Sequence, residues 1–188
     1  MTGRLRTPNG RTIDAPATLR IGCGWTGRAE CGLKPALVDV VVSAYLLGAD
    51  GKMRAASSDL LFYSNPKSAN GSIVLDYLGE LEGDDSSVVI KLAEVPHDLE
   101  SLAIVWSLEP SNQGAAEFGM ITDTYVRLCD AGGLEEFSRF DFTIGKPSEL
   151  GLVVIELCRN GFDWEFKPVM DYIAGGIRAV AEKYGFPV

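Results

Sequence analysis

Between residues 38 and 92 the chain alternates four short apolar, β-forming runs with turn residues, and none of the runs is long enough for an ordinary helix. They are 40–47 (VVVSAYLL), 60–63 (LLFY), 73–75 (IVL) and 88–92 (VVIKL). Asp50-Gly51, Asn65-Pro66 and Asn70-Gly71 separate them, and each is a pair that tolerates or imposes turn geometry. This stretch predicts a β-meander, and it commits the chain to a mainly β architecture.

The remainder follows suit. Alternation at 18–24 (TLRIGCG), with Leu19, Ile21 and Cys23 opposite Thr18, Arg20 and Gly22, predicts a half-buried strand. Further strands are predicted at 102–108 (LAIVWSL, with Trp106 in the core), 124–129, 137–142, 152–159 and 164–169, the last two joined across Asn160-Gly161. In the pair 124–129 and 137–142, Arg127 and Arg139 fall on polar faces, where carboxylates or solvent await them. The period changes only near the end. Ile173, Ile177, Val180 and Tyr184 recur at helical spacing, and Gly185 and Pro187 stop the segment, so 171–184 is predicted as one amphipathic helix lying on the sheets. Residues 1–17 lack apolar periodicity and are expected to be a flexible N-terminal arm, leaving 18–188 as the folded domain. The fold class is therefore an antiparallel β-sandwich with one C-terminal amphipathic helix.

Several function classes are disfavoured. A formal charge of -9 and a pI near 4.6 oppose general nucleic-acid binding, which needs a cationic face. No apolar stretch reaches membrane-spanning length, and the first residues lack the apolar core of a secretory signal. Cys23, Cys31, Cys129 and Cys158 stand singly, so four free thiols and a cytoplasmic location are expected. No nucleophile elbow, Walker loop or dinucleotide turn is present, and His97, the single histidine, sits beside Pro96 in an expected loop with no obvious catalytic partner. A non-enzymatic protein is expected.

The acids are placed more suggestively. Asp39, Asp59, Asp76, Glu80, Glu82, Asp84 and Asp85 sit at the ends of the apolar runs, where neighbouring loops can bring carboxylates together, and oxygen-rich clusters of that kind suit calcium. Solvated surface acids are the plainer reading of the same pattern, and no EF-hand spacing is present.

The order of the motifs carries a further signal. S-A-Y-L-L at 43–47, D-L-L-F-Y-S-N-P-K-S at 59–68, N-G-S at 70–72, G-D-D at 83–85, V-P-H-D at 95–98, Y-V-R-L at 125–128, E-L-C-R at 156–159, W-E-F at 164–166 and Y-I-A-G-G-I at 172–177 together resemble the TerD family of tellurium-resistance and stress proteins. The resemblance implies a calcium-binding β-sandwich acting against tellurite and other chemical stress, with no established reaction, and with calcium ions and proteins of a stress-response complex as partners. It points to Asp39, Asp59, Asn65, Asp84 and Asp85 as calcium ligands, with Asp76 and Glu82 in second rank. Val41 stands where the family has a second acid, which favours the rival reading of a metal-free protein-interaction module on the same fold.

Overall fold

A computed structural model describes residues 3–27, 40–77, 83–108, 117–132, 135–146 and 148–186. Two sheets face each other. In chain order the strands are β1 (Arg4–Arg6), β2 (Thr12–Asp14), β3 (Thr18–Gly27), β4 (Val40–Leu47), β5 (Leu60–Leu61), β6 (Ile73–Asp76), β7 (Ser86–Lys91), β8 (Ser101–Leu108), β9 (Ile121–Asp130), β10 (Glu136–Phe142), β11 (Gly151–Asn160) and β12 (Asp163–Ile173). One sheet runs β2-β1-β12-β11-β8-β4-β5, the other β10-β9-β3-β7-β6. Every pairing is antiparallel except that of β1 with β12. Two helices, α1 (Ala56–Asp59) and α2 (Gly176–Lys183), complete the described elements together with short 3-10 turns.

The strand alternation builds the core directly. Leu19, Ile21 and Cys23 of β3 meet Val42, Ala44 and Leu46 of β4 and Leu102, Ile104 and Trp106 of β8 between the sheets, all essentially excluded from solvent. Trp106 is fully buried, with the Trp25 ring edge-on at 5.0 Å. An aromatic pair in that geometry adds about 0.5–1.5 kcal/mol to what area burial supplies.

The expected meander does not form. β4 and β5 pair in one sheet, whereas β6 and β7 pair in the other. β5 is only two residues long, and the turn closed by the Asn65 amide on the Phe62 carbonyl (2.9 Å) takes the chain out of the first sheet. The expected flexible arm is likewise replaced by structure. β1 and β2 form a hairpin whose Leu5 is completely buried in the core, and the Arg4 amide donates to Asp163 Oδ1 at 2.7 Å. β12 offers an edge at this point, with Trp164 opposite Leu5, so one apolar residue per strand suffices.

The predicted helix starts later than its periodicity suggested. Asp171, Tyr172 and Ile173 belong to β12, with Ile173 paired to Gly151, and the break comes at Gly175 and Gly176, whose φ values of 94° and 65° lie in the left-handed region. Only glycine adopts that region without strain. From there α2 covers the outer face of the larger sheet. Val180, Ala181 and Tyr184 pack on Tyr45, Leu47, Ala103, Val105 and Val153, and the Tyr45 and Tyr184 rings lie 4.9 Å apart.

This second core gives an alkaline limit. Burial pushes the Tyr45 phenol up to about 12, from an ordinary value near 10. A raised folded value means that the neutral form is favoured by folding, so its contribution is complete below pH of about 10 and is lost as pH rises through about 12. Urea midpoints measured across that window should fall. Tyr45→Phe, which cannot ionise, should flatten the fall by about 2–3 kcal/mol; an unchanged slope would contradict the assignment.

Cys23, Cys129 and Cys158 carry free thiols, and burial pushes Cys23 up to about 12. Cys31 lies outside the described residues. No helix among the described residues is long and apolar enough to cross a membrane.

Candidate functional site

The carboxylates at the strand ends separate into two groups. Leu46, near the end of β4, borders the same cleft as Asp59, whereas Val40, Val41 and Val42, at its start, border a cavity that includes Asp85. With a rise of about 3.3 Å per residue, the two ends of β4 lie roughly 20 Å apart. Asp59 and Asp85 therefore cannot share an ion.

Asp59 is buried and its oxygens are taken locally. Oδ2 accepts the Arg54 amide (2.9 Å), the Ala55 amide (3.0 Å) and Arg54 Nε (3.1 Å), while Oδ1 accepts Arg54 Nη2 (2.8 Å). Arg54 Nη1 continues to Asp98 Oδ1 at 2.6 Å. The carboxylate thus folds the turn before α1 back onto itself, and the guanidinium supplies the positive charge.

Asp84 is more deeply committed. Its side chain is wholly buried on the outer face of the smaller sheet, against Gly22 of β3, where an added Cβ would overlap its carboxylate. Arg20 Nη2 pairs with Oδ2, and Arg127 Nε pairs with Oδ1 at 2.7 Å. The Tyr125 hydroxyl donates to Oδ1 at 2.9 Å and also contacts the Gly83 carbonyl. Gly24, beneath the Tyr125 ring, makes the corresponding space there. Burial first, then the hydrogen bond to Asp84 and the charge of that carboxylate, push the Tyr125 phenol up to about 12, so it is a donor at neutral pH. The register sets Arg127 directly across from Arg139, a like-charge pairing that is costly alone. Asp84 and Glu136 (3.5 Å) on one side, and Asp141 (2.8 Å) on the other, offset it, and the Arg139 guanidinium stacks 3.7 Å over the Tyr125 ring.

Asp85, adjacent in sequence, points elsewhere. It is exposed, its Oδ2 accepts the Trp25 amide at 2.8 Å, and its own amide donates to the Cys23 carbonyl at 2.9 Å. Asn65 donates its side-chain amide to the Leu60 carbonyl at 2.8 Å. Asp76 lies at the end of β6, where its carbonyl accepts the Ser86 hydroxyl at 2.9 Å. Asp39, Glu80 and Glu82 lie outside the described residues. Among the described residues, no three His, Cys, Asp or Glu side chains gather as a metal would require.

Two of the acids expected as calcium ligands, Asp59 and Asp84, are therefore each held by arginine side chains. Arg127 was expected to face a carboxylate or solvent, and the carboxylate is Asp84, whereas Arg54 and Arg20 were not assigned as partners. One local signal was available: Arg20, Gly22 and Gly24 alternate on one face of β3, and paired strand glycines beside an arginine mark close approach of another group. The aromatic residues around Asp85 were also missed, because Trp25, Tyr63 and Tyr77 come together only through the fold.

The TerD domain family model matches residues 11–184. The tellurium resistance protein TerD of an Alcaligenes species is 33% identical over 178 residues, covering 93% of this chain and 91% of that protein. General stress protein 16U of Bacillus subtilis is 29% identical over 172 residues, covering 89% and 87% respectively. A crystal structure of a TerD homologue from Streptomyces coelicolor superposes with a TM-score of 0.66 over 92% of this chain and 100% of that one, at 15% identity, which makes it a likeness of fold.

Proposed function

The chain belongs to the TerD family, and from that premise we propose that it acts in resistance to tellurite and other chemical stress as a binding protein that catalyses no reaction. The observation carrying this reading is the similarity along nearly the whole chain to a tellurium resistance protein and to a general stress protein. Introducing the gene into a tellurite-sensitive host should raise the tellurite concentration that stops growth. An unchanged threshold, with the protein present and folded, would defeat the proposal.

Calcium fits the described residues poorly. It takes six to eight oxygens, mostly from carboxylates and carbonyls. Asp59 and Asp84 already face guanidinium groups, and a dication placed beside them would compete with charges fixed by the fold. Among the described first-rank candidates, Asp85 is the carboxylate that faces no guanidinium in these bonds, and one carboxylate alone is a weak calcium site. This favours the second reading, in which the acidic surface serves a protein partner.

The expected result of a calcium titration follows from that geometry. Asp59→Asn should lower the melting temperature in chelator and in calcium by the same amount, leaving any calcium-dependent increment intact. If the increment disappears with Asp59→Asn, Asp59 is a ligand after all and the structural role given to Arg54 is wrong.

A further inference from the structure

A cavity of about 460 Å³ opens where the start of β4 passes the smaller sheet, and its described walls include Trp25, Val41, Tyr63, Tyr77, Asp85 and Ser86. Three of these are aromatic, one is a carboxylate, and no Lys, Arg or His is among the described lining residues. Tyr63 and Tyr77 are 51% and 45% exposed, an unusual position for large apolar rings, while Trp25 is held by its edge-on contact with buried Trp106. Asp85 is fixed by its bond from the Trp25 amide, which employs Oδ2.

The geometry points to a recognition site for an arginine side chain presented by a basic protein partner. Aromatic faces attract organic cations through the ring quadrupole, and a guanidinium, more weakly hydrated than a small metal ion, stacks on them while its planar fork meets a carboxylate. An anion finds no counter-charge among these walls. A purely apolar occupant would cover Asp85 and strand its charge. Among the described walls a bare dication would meet one carboxylate, and it would lose much of its water against rings and valines. The net charge of -9 adds long-range attraction for a basic partner, and exposed tyrosines around a pocket are residues of the kind that anchor interfaces. This goes beyond the role in tellurite resistance: it assigns a place on the molecule and the chemistry of what docks there.

The test is an NMR titration of the isotope-labelled full chain with the peptide acetyl-Gly-Ser-Arg-Gly-Ser-amide and with the same peptide carrying citrulline, which keeps the shape of arginine and removes its charge. Amide signals of Trp25 and Asp85 and the Trp25 indole should shift with the arginine peptide and stay still with the citrulline one. Tyr63→Ala, Tyr77→Ala and Asp85→Asn, all at exposed positions and checked by unchanged melting, should each weaken the response about fivefold or more. The inference is overturned if both peptides act alike, if neither moves these signals at millimolar concentration, if tetramethylammonium chloride matches the arginine peptide, or if calcium chloride moves the same signals at lower concentration. Since the titration reads purified protein, a chain that fails to protect against tellurite can still pass it, and the two proposals fail separately.

Discussion

Asp84→Ala is expected to lower the free energy of unfolding by about 3–5 kcal/mol, the usual cost of removing one partner from a buried ion pair. The carboxylate is what both Arg20 and Arg127 face; Arg20 is 1% exposed, and its charge cannot turn to water without disturbing β3. The Tyr125 hydroxyl loses an acceptor at the same time. Asp85→Ala, next in sequence but exposed, should cost less than about 1 kcal/mol, as surface substitutions do. Urea unfolding of the two variants beside the parent makes the comparison, and a loss below about 1 kcal/mol for Asp84→Ala would show that the network does not stabilise the sheet. Calcium should not restore the variant, because the site it vacates is lined by guanidinium groups.

Leu5→Ala is the second substitution expected to act strongly, by about 2–5 kcal/mol, because truncating a fully buried leucine loses its transfer free energy and leaves a cavity. Leu5 is the single buried side chain of β1 and sits in the main core cluster. Were residues 1–17 the mobile arm that their composition suggests, the change would be silent in both melting temperature and urea midpoint. The two pictures differ by several kcal/mol at one residue.

Both cases show what the amino-acid order disclosed and where it stopped. Strands with several apolar residues in alternation, such as β4, β8 and β11, were legible because each carries enough signal to name its own buried face. β1 carries one such residue, and β12 supplies the rest of its environment, so no local pattern existed to be read. Helix α2 was legible through Val180 and Tyr184, but Ile173 happens to continue the same spacing although it belongs to a strand; the Gly175-Gly176 pair was the signal that deserved more weight. For the acids, position was legible and partnership was not. Arg20 and Arg127 reach Asp84 across separations of 64 and 43 residues, from 84 − 20 and 127 − 84, which no spacing rule captures. Arg54 lies five residues from Asp59, within reach of local reasoning, but a turn that closes on its own carboxylate looks in one dimension like any polar loop.

The parallel pairing of β1 with β12 also sets a timetable for the nascent chain. Arg4 and Asp163, joined in the finished sheet, are 159 residues apart. At a synthesis rate of about 5–20 residues per second, β1 waits roughly 10–30 s after its own translation before β12, its neighbour on the side away from β2, exists. Throughout that interval Leu5 has no pocket to enter, and closing so long a loop is the entropically slow kind of contact. The smaller sheet and the β4–β8 pairing can assemble during the wait, whereas β1, made before them, becomes among the last to be seated.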